Sequence, residues 1–167
     1  MKTSIQKISP NLWFNDEAEE AARHYVSIFI DSKITRVTRY GSEQNEHHPV
    51  DEGTVMTVEF QLEGQQFVAL NGGPQFHFTE AISFIVHCET QEEIDYYWEK
   101  LSEGGDEKAQ VCGWLKDKFG VSWQVVPANL STMITDPDRA KAERVMKTLL
   151  QTKAKIDLRA LEEAYEG

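Results

Sequence analysis

The chain runs through the same order of elements twice, and this repetition limits its folds more than any other feature. Ile5–Phe14 is β-rich, with Pro10 marking an edge or a bulge. Asp16 stands at a helix start with Glu19 in capping-box spacing, and Ala18, Ala21, Ala22, Tyr25, Val26 and Phe29 share one helical face. Ile34–Tyr40, Met56–Leu62 and Gln65–Asn71 read as strands, the last two as a hairpin about Glu63-Gly64. The second pass opens with an apolar strand, Ala81–Cys88. A capping box, Thr90-x-x-Glu93, then leads a helix with Ile94, Tyr97, Trp98 and Leu101 on its face, ended by Gly104-Gly105. A short strand around Ala109–Leu115, a turn at Asp117-Lys118-Phe119-Gly120 and a strand Val121–Val126 complete it. Gly64-x-x-Phe67 and Gly120-x-x-Trp123 hold matching places in the two passes. Two such units side by side can curl their strands into one sheet around a shared cavity. An ordinary α+β domain without a repeat is the alternative reading of the same string.

Two helices are expected to close the chain. Asp136-Pro137 reads as a cap followed by proline at the first helical position, with Ala142, Val145, Met146 and Leu149 as the apolar face. Asp157 caps the last helix, and Ile156 with Leu161 has hydrophobic-staple spacing. The expected organisation is one domain over 1–167, with modules at about 5–74 and 80–127 and a helical extension at about 128–167.

Charge removes whole classes of function. The 167 residues carry 28 acidic side chains against 17 Lys plus Arg, a formal net charge of −11. Phosphate-backbone binding needs clustered cations, so nucleic acid is excluded as a partner, and an anionic membrane surface is disfavoured. No apolar run approaches the ~20 residues of a spanning helix, and Met1–Asn11 lacks a signal-peptide core, so the expected location is the cytoplasm. Cys88 and Cys112 form no metal or disulfide pattern and read as reduced thiols. No Gly-x-Gly turn, P-loop, nucleophile elbow or zinc-protease helix occurs, which speaks against a Rossmann-type methyltransferase.

Four stretches carry a family resemblance: Leu12–Asn15 with Ala18–Ala21, Phe67–Pro74, Glu80–Phe84, and the long run Cys112–Gln124. With them the sequence resembles the PhnB-like family of the vicinal-oxygen-chelate (glyoxalase/bleomycin-resistance) superfamily. Some of its members are labelled 3-demethylubiquinone 3-methyltransferase-like. The resemblance implies an α+β fold of paired βαβββ modules forming a cupped mixed sheet, here with C-terminal helices, and commonly a homodimer. It leaves the activity open, because one fold hosts many chemistries.

Metal-using relatives place His and Glu ligands on cup-facing strands. Carried over by register, those positions fall near Ser9, Ala81, Val68 or Ala69, and Gln124, none of which is His, Asp or Glu. No metal and no cofactor are therefore expected. His24 reads as a helix residue, His47 and His48 as loop residues, and His87 as a strand-end residue. His77 lies in a connection that can reach a pocket mouth, and it is the first candidate for proton transfer.

Period-2 geometry puts Asn11 and Trp13 on one strand face, Ser83 with Ile85 and His87 on another, and Ser122, Gln124 and Val126 on a third. Asn11, Ser83 and Gln124 supply neutral hydrogen-bonding groups. Trp13 and Trp114 are wall candidates, with Phe67 or Trp123 as further ones, although aromatics at such spacings also serve as core. The candidate ligand-binding set is Asn11, Trp13, Asn71, His77, Ser83, Trp114 and Gln124, with no catalytic residue assigned. The leading expectation is a protein that binds an unidentified small molecule without a metal. The alternatives are a lyase, isomerase or dioxygenase with a displaced metal site, and, less favoured, an S-adenosylmethionine-dependent methyltransferase.

Overall fold

A computed structural model describes residues 5–42 and 50–167. The histidine pair His47 and His48 lies outside the described residues. The chain divides into two compact units, Met1–Phe78 and Thr79–Gly167.

The first unit is a βαβββ module: β1 (Asn11–Phe14), α1 (Ala18–Ile28), β2 (Lys33–Arg39), β3 (Val55–Leu62) and β4 (Gln65–Asn71). Its sheet order is β1-β4-β3-β2, with β1 parallel to β4 and the other pairs antiparallel. One face carries Leu12, Phe14, Val58, Phe60, Phe67 and Ala69, all buried. Tyr25 of α1 stacks on Phe60, ring centroids 6.3 Å apart, and Phe60 stacks on Phe67 at 5.4 Å. Burial of each such side chain stabilises the fold by about 1.5–3 kcal/mol. Ala18, Ala21 and Ala22 are fully buried, and their small side chains let α1 lie close to the sheet.

Two local expectations are corrected here. The first strand begins at Asn11, not Ile5. Pro10 has no N–H for the ladder, and its carbonyl accepts from Val68 N–H at 3.0 Å. Upstream, the Gln6 side-chain amide takes the place of backbone, pairing with Gln66 N–H and C=O at 3.0 and 3.1 Å. The Asp16–Glu19 capping box does not form; α1 starts at Ala18 without a side-chain cap from its own N-cap residue. Glu19 instead pairs with Arg23.

The second unit contains β5 (Ser83–Cys88), α2 (Gln91–Ser102), a 3-10 turn (Glu107–Ala109), β6 (Trp114–Lys116), β7 (Ser122–Pro127), α3 (Leu130–Ile134), α4 (Arg139–Gln151) and α5 (Leu158–Glu166). Its sheet order is β5-β7-β6, with β5 parallel and β6 antiparallel to β7. The module therefore repeats the first one without a counterpart of β2. A tight turn, with Cys112 (φ 50°) and Gly113 (φ 83°) at its centre, leads into β6. The Thr90–Glu93 capping box forms, Thr90 Oγ1 accepting from Glu93 N–H at 3.2 Å.

The C-terminal extension is part of this second unit. Met133, Val145, Ile156 and Leu161 form one core with Val126 at the end of β7. The Thr152–Ile156 segment lies along the Cys112–Gly113 turn, whose N–H groups donate to Thr152 and Ala154 carbonyls at 3.1 and 2.8 Å. Asp157 caps α5 as expected. The cap of α4 is Asp138, not Asp136, its side chain accepting from Ala140 N–H at 3.0 Å. Among the described residues no helix is long and apolar enough to cross a membrane.

Candidate ligand-binding faces

Each sheet packs one face against the helix of its own module, and most of the candidate residues lie on the other. In the second unit Phe84, Val86 and Cys88 of β5 alternate with Ser83, Ile85 and His87, while Trp123 and Val125 of β7 alternate with Ser122, Gln124 and Val126. Strand pairing arranges the face away from α2 in rows. Ile85, Gln124 and Trp114 lie side by side across β5, β7 and β6, and Ser83, Ser122 and Lys116 form the next row. Gln124 Nε2 donates to Ser83 Oγ at 2.9 Å, tying the two rows together. Three of the expected residues, Ser83, Trp114 and Gln124, are thus brought together. Trp114 and Gln124 are half-buried.

The residue in that second row that sequence reasoning passed over is Lys116. Its ammonium forms an ion pair with Glu80, which leads into β5. That hydrogen bond, more than the charge itself, holds the Glu80 carboxyl below the usual carboxylate range. Ser122, between Lys116 and Ser83, is 2% exposed, and its hydroxyl has no hydrogen-bond partner among the described residues.

The first unit treats its candidates differently. Trp13 lies on the face opposite α1, half-buried, with Nε1 donating to Gly73 C=O at 2.9 Å and Phe76 edge-on at 5.0 Å. Its ring lies so close over Gly72 that a Cβ there would fall 2.3 Å from Trp13 Cζ2. Glycine at 72 is thus needed for close approach, and Gly73 takes a φ of 94°. Asn11 is exposed, paired in register with Val68. Asn71 is buried: Oδ1 accepts Ala18 N–H at 2.8 Å, and Nδ2 donates to Val55 C=O at 3.0 Å. Both ends of that amide are engaged in the fold. His77 is exposed beyond β4.

Phe67 and Trp123, weighed as wall residues, face the core instead. Phe67 stacks on Phe60, and Trp123 packs on Phe84 at 5.3 Å. Trp123 Nε1 donates to the buried Asp117 Oδ2 at 2.8 Å, while Asp117 Oδ1 accepts from Phe119 and Val121 N–H, each at 2.9 Å. Asp117 therefore belongs to the β6–β7 turn. The spacing Asp-x-x-Gly before an aromatic strand held the signal for this, as an Asx-type turn.

The metal positions of the superfamily do not fit a metal here. Ser9, Ala81, Val68 and Ala69 offer no strong ligand, and the Gln124 amide oxygen by itself is a weak one. Among the described residues no group of three or more His, Cys, Asp or Glu is placed to hold a metal ion.

The comparisons with known proteins agree with this architecture. Residues 6–126 match the family described as 3-demethylubiquinone-9 3-methyltransferase, the PhnB-like family, and the chain belongs to it. The solved structure of a PhnB protein from Bacillus cereus, named for that methyltransferase, is 41% identical with a TM-score of 0.63, over 74% of this chain and 100% of that one. A Pseudomonas aeruginosa protein shares the fold at 22% identity and a TM-score of 0.58, over 73% of this chain and 96% of that one. No curated protein matches the chain. The extension at residues 127–167 lies beyond the family match. The family name notwithstanding, the chain has no Gly-x-Gly turn, and neither sheet is the open parallel sheet of a Rossmann-type methyltransferase.

Proposed function

We propose that this chain binds a small molecule, without a metal ion, on the face of the β5-β7-β6 sheet away from α2. The observation that carries the reading is the Gln124–Ser83 hydrogen bond at 2.9 Å beside the half-buried Trp114. An aromatic wall with a few fixed polar groups is how small-molecule sites are built. On the first sheet Asn11 and Trp13 hold the places that Ile85 and His87 hold on the second. The proposed setting is a cytoplasmic homodimer, for which light scattering is the check; a monomer would count against it.

A thermal-shift screen tests the binding reading, since a ligand selective for the native state stabilises it by about 2.7 kcal/mol at a hundred times Kd. Compounds that raise the melting point of the wild type should lose that effect in Trp114→Ala and Gln124→Ala. Hits that stabilise both variants as well as the wild type would move the site elsewhere. Two further measurements separate the reading from its competitors. One divalent ion per subunit, in protein purified without added metal, would overturn the metal-free assignment. Saturable S-adenosylmethionine binding in calorimetry would restore the methyltransferase.

A further inference from the structure

The Ser83–Ser122–Lys116 row combines a satisfied hydroxyl, a buried hydroxyl without a partner among the described residues, and a cation held by a carboxylate. Strand order gives this combination its meaning. Lys116 is on β6 and Glu80 leads into β5, with β7 between them. Lys116 Nζ meets the Glu80 carboxylate, which comes from the turn just before β5. The β7 residue in register with Lys116 is Ser122. The ion pair thus starts from the same row as the Ser122 hydroxyl, which is buried and unbonded among the described residues. A buried hydroxyl left without a partner costs about 1–3 kcal/mol, a cost removed when an acceptor reaches it.

The two ends of the ion pair are unequal. The Glu80 side chain is 61% exposed and the Lys116 side chain 24%. Exposed ion pairs contribute only about 0–1 kcal/mol, so Glu80 is readily exchanged for another carboxylate. Lys116, anchored in β6, stays on the face. Its ammonium has three donors, enough to hold a carboxylate while Ser122 O–H donates to the same group.

We propose that the Ser83–Ser122–Lys116 row is a carboxylate subsite whose Lys116 end is paired with Glu80 in the free protein, and which is taken over by the carboxylate of an aromatic acid whose ring lies against Trp114. This rests on the binding face proposed above and names the chemical class of its ligand. Glu80 is a placeholder: it keeps the Lys116 charge paired until the ligand displaces it into solvent. No bond is made or broken in the exchange.

Indole-3-acetate and its uncharged isostere indole-3-acetamide are suitable probes, titrated into isotope-labelled protein and followed by amide chemical shifts. The acetate should saturate with shifts at Ser83, Lys116 and Ser122, and bind at least tenfold more tightly than the acetamide. Lys116→Met should bring acetate affinity down to that of the acetamide. Glu80→Gln, a change at an exposed side chain, should tighten acetate at least threefold by removing the competitor, and leave the acetamide unchanged. Equal affinity of the two probes for the wild type, or an unchanged acetate affinity in Glu80→Gln, would overturn the subsite. If the acetamide still shifts Trp114 and Gln124 in that case, the binding face stands and the carboxylate class alone falls. If neither probe shifts this face, both proposals fall.

Discussion

Asn71, at the end of β4, caps α1: its Oδ1 accepts Ala18 N–H at 2.8 Å, and its Nδ2 donates to Val55 C=O at 3.0 Å. One buried amide thereby joins the first turn of the helix to two strands. Asn71→Ala leaves an orphan helix donor and an orphan carbonyl, and should cost about 2–3 kcal/mol. Asn71→Asp keeps the acceptor but sets a carboxylate oxygen against Val55 C=O, and should also destabilise. Urea unfolding midpoints of the three proteins check this. An Asn71→Ala midpoint within error of the wild type would mean that α1 is capped by other means.

Asp117 does for the second unit what Asn71 does for the first. Its carboxylate accepts three N–H groups, from Phe119, Val121 and the Trp123 indole. Asp117→Asn retains one acceptor but points an NH2 at an N–H, so a loss of about 2–3 kcal/mol is expected. Trp123→Phe removes the indole donor together with part of a buried ring. The two substitutions share one hydrogen bond, so the double variant should be less destabilised than the sum of the single ones. Strict additivity in chemical unfolding would break the assigned coupling.

These two residues also mark where sequence reading stops. Thr90 and Glu93 are three apart, and their capping box was legible because both partners are local. The alternation of Ser83, Ile85 and His87, and of Ser122, Gln124 and Val126, was legible for the same reason. The Gln124–Ser83 bond was not, since it exists only because β5 and β7 pair in one particular register. Asn71 was counted among the candidate ligand-binding residues, while its actual partners, Ala18 and Val55, lie 53 and 16 positions away. Local spacing likewise favoured Asp16 and Glu19 as the cap of α1, and the distant amide took that role. Lys116 was not among the candidate ligand-binding residues, because its partner Glu80 lies 36 positions away in sequence.

Cys88 gives the second unit an alkaline limit. Burial, aided by the charge of Glu93, pushes its thiol up to about 12 from the usual value of 9.0. The folded state therefore keeps the proton after the unfolded chain has lost it. The contribution is complete below about pH 9 and is lost as the pH rises toward about 12. Unfolding midpoints should fall over that window, and Cys88→Ala should flatten the decline. At pH 8 iodoacetamide should spare Cys88 in the native protein and label it in denaturant. Rapid native labelling of Cys88 would show the thiol to be accessible.

Ile156 tests whether the extension is a tail or a part of the second unit. Its side chain is fully buried with Val126, Met133, Val145 and Leu161. A Cβ added at Gly113 would lie 2.7 Å from Ile156 Cδ1, so the turn and the extension are in direct contact. Ile156→Ala should cost about 2–5 kcal/mol, from lost burial and the cavity left behind. The place where that loss appears is the informative measurement. Cys112 and Gly113 N–H groups donate to carbonyls of Thr152 and Ala154, so their protection from hydrogen exchange depends on the extension staying docked. In Ile156→Ala both amides should exchange faster, together with those of α4 and α5. Faster exchange in α4 and α5 alone, with Cys112 and Gly113 as protected as in the wild type, would make the extension an appendage. Coupled loss would make it a structural element of the module, closing the Val126 end of the face that carries Trp114 and Gln124.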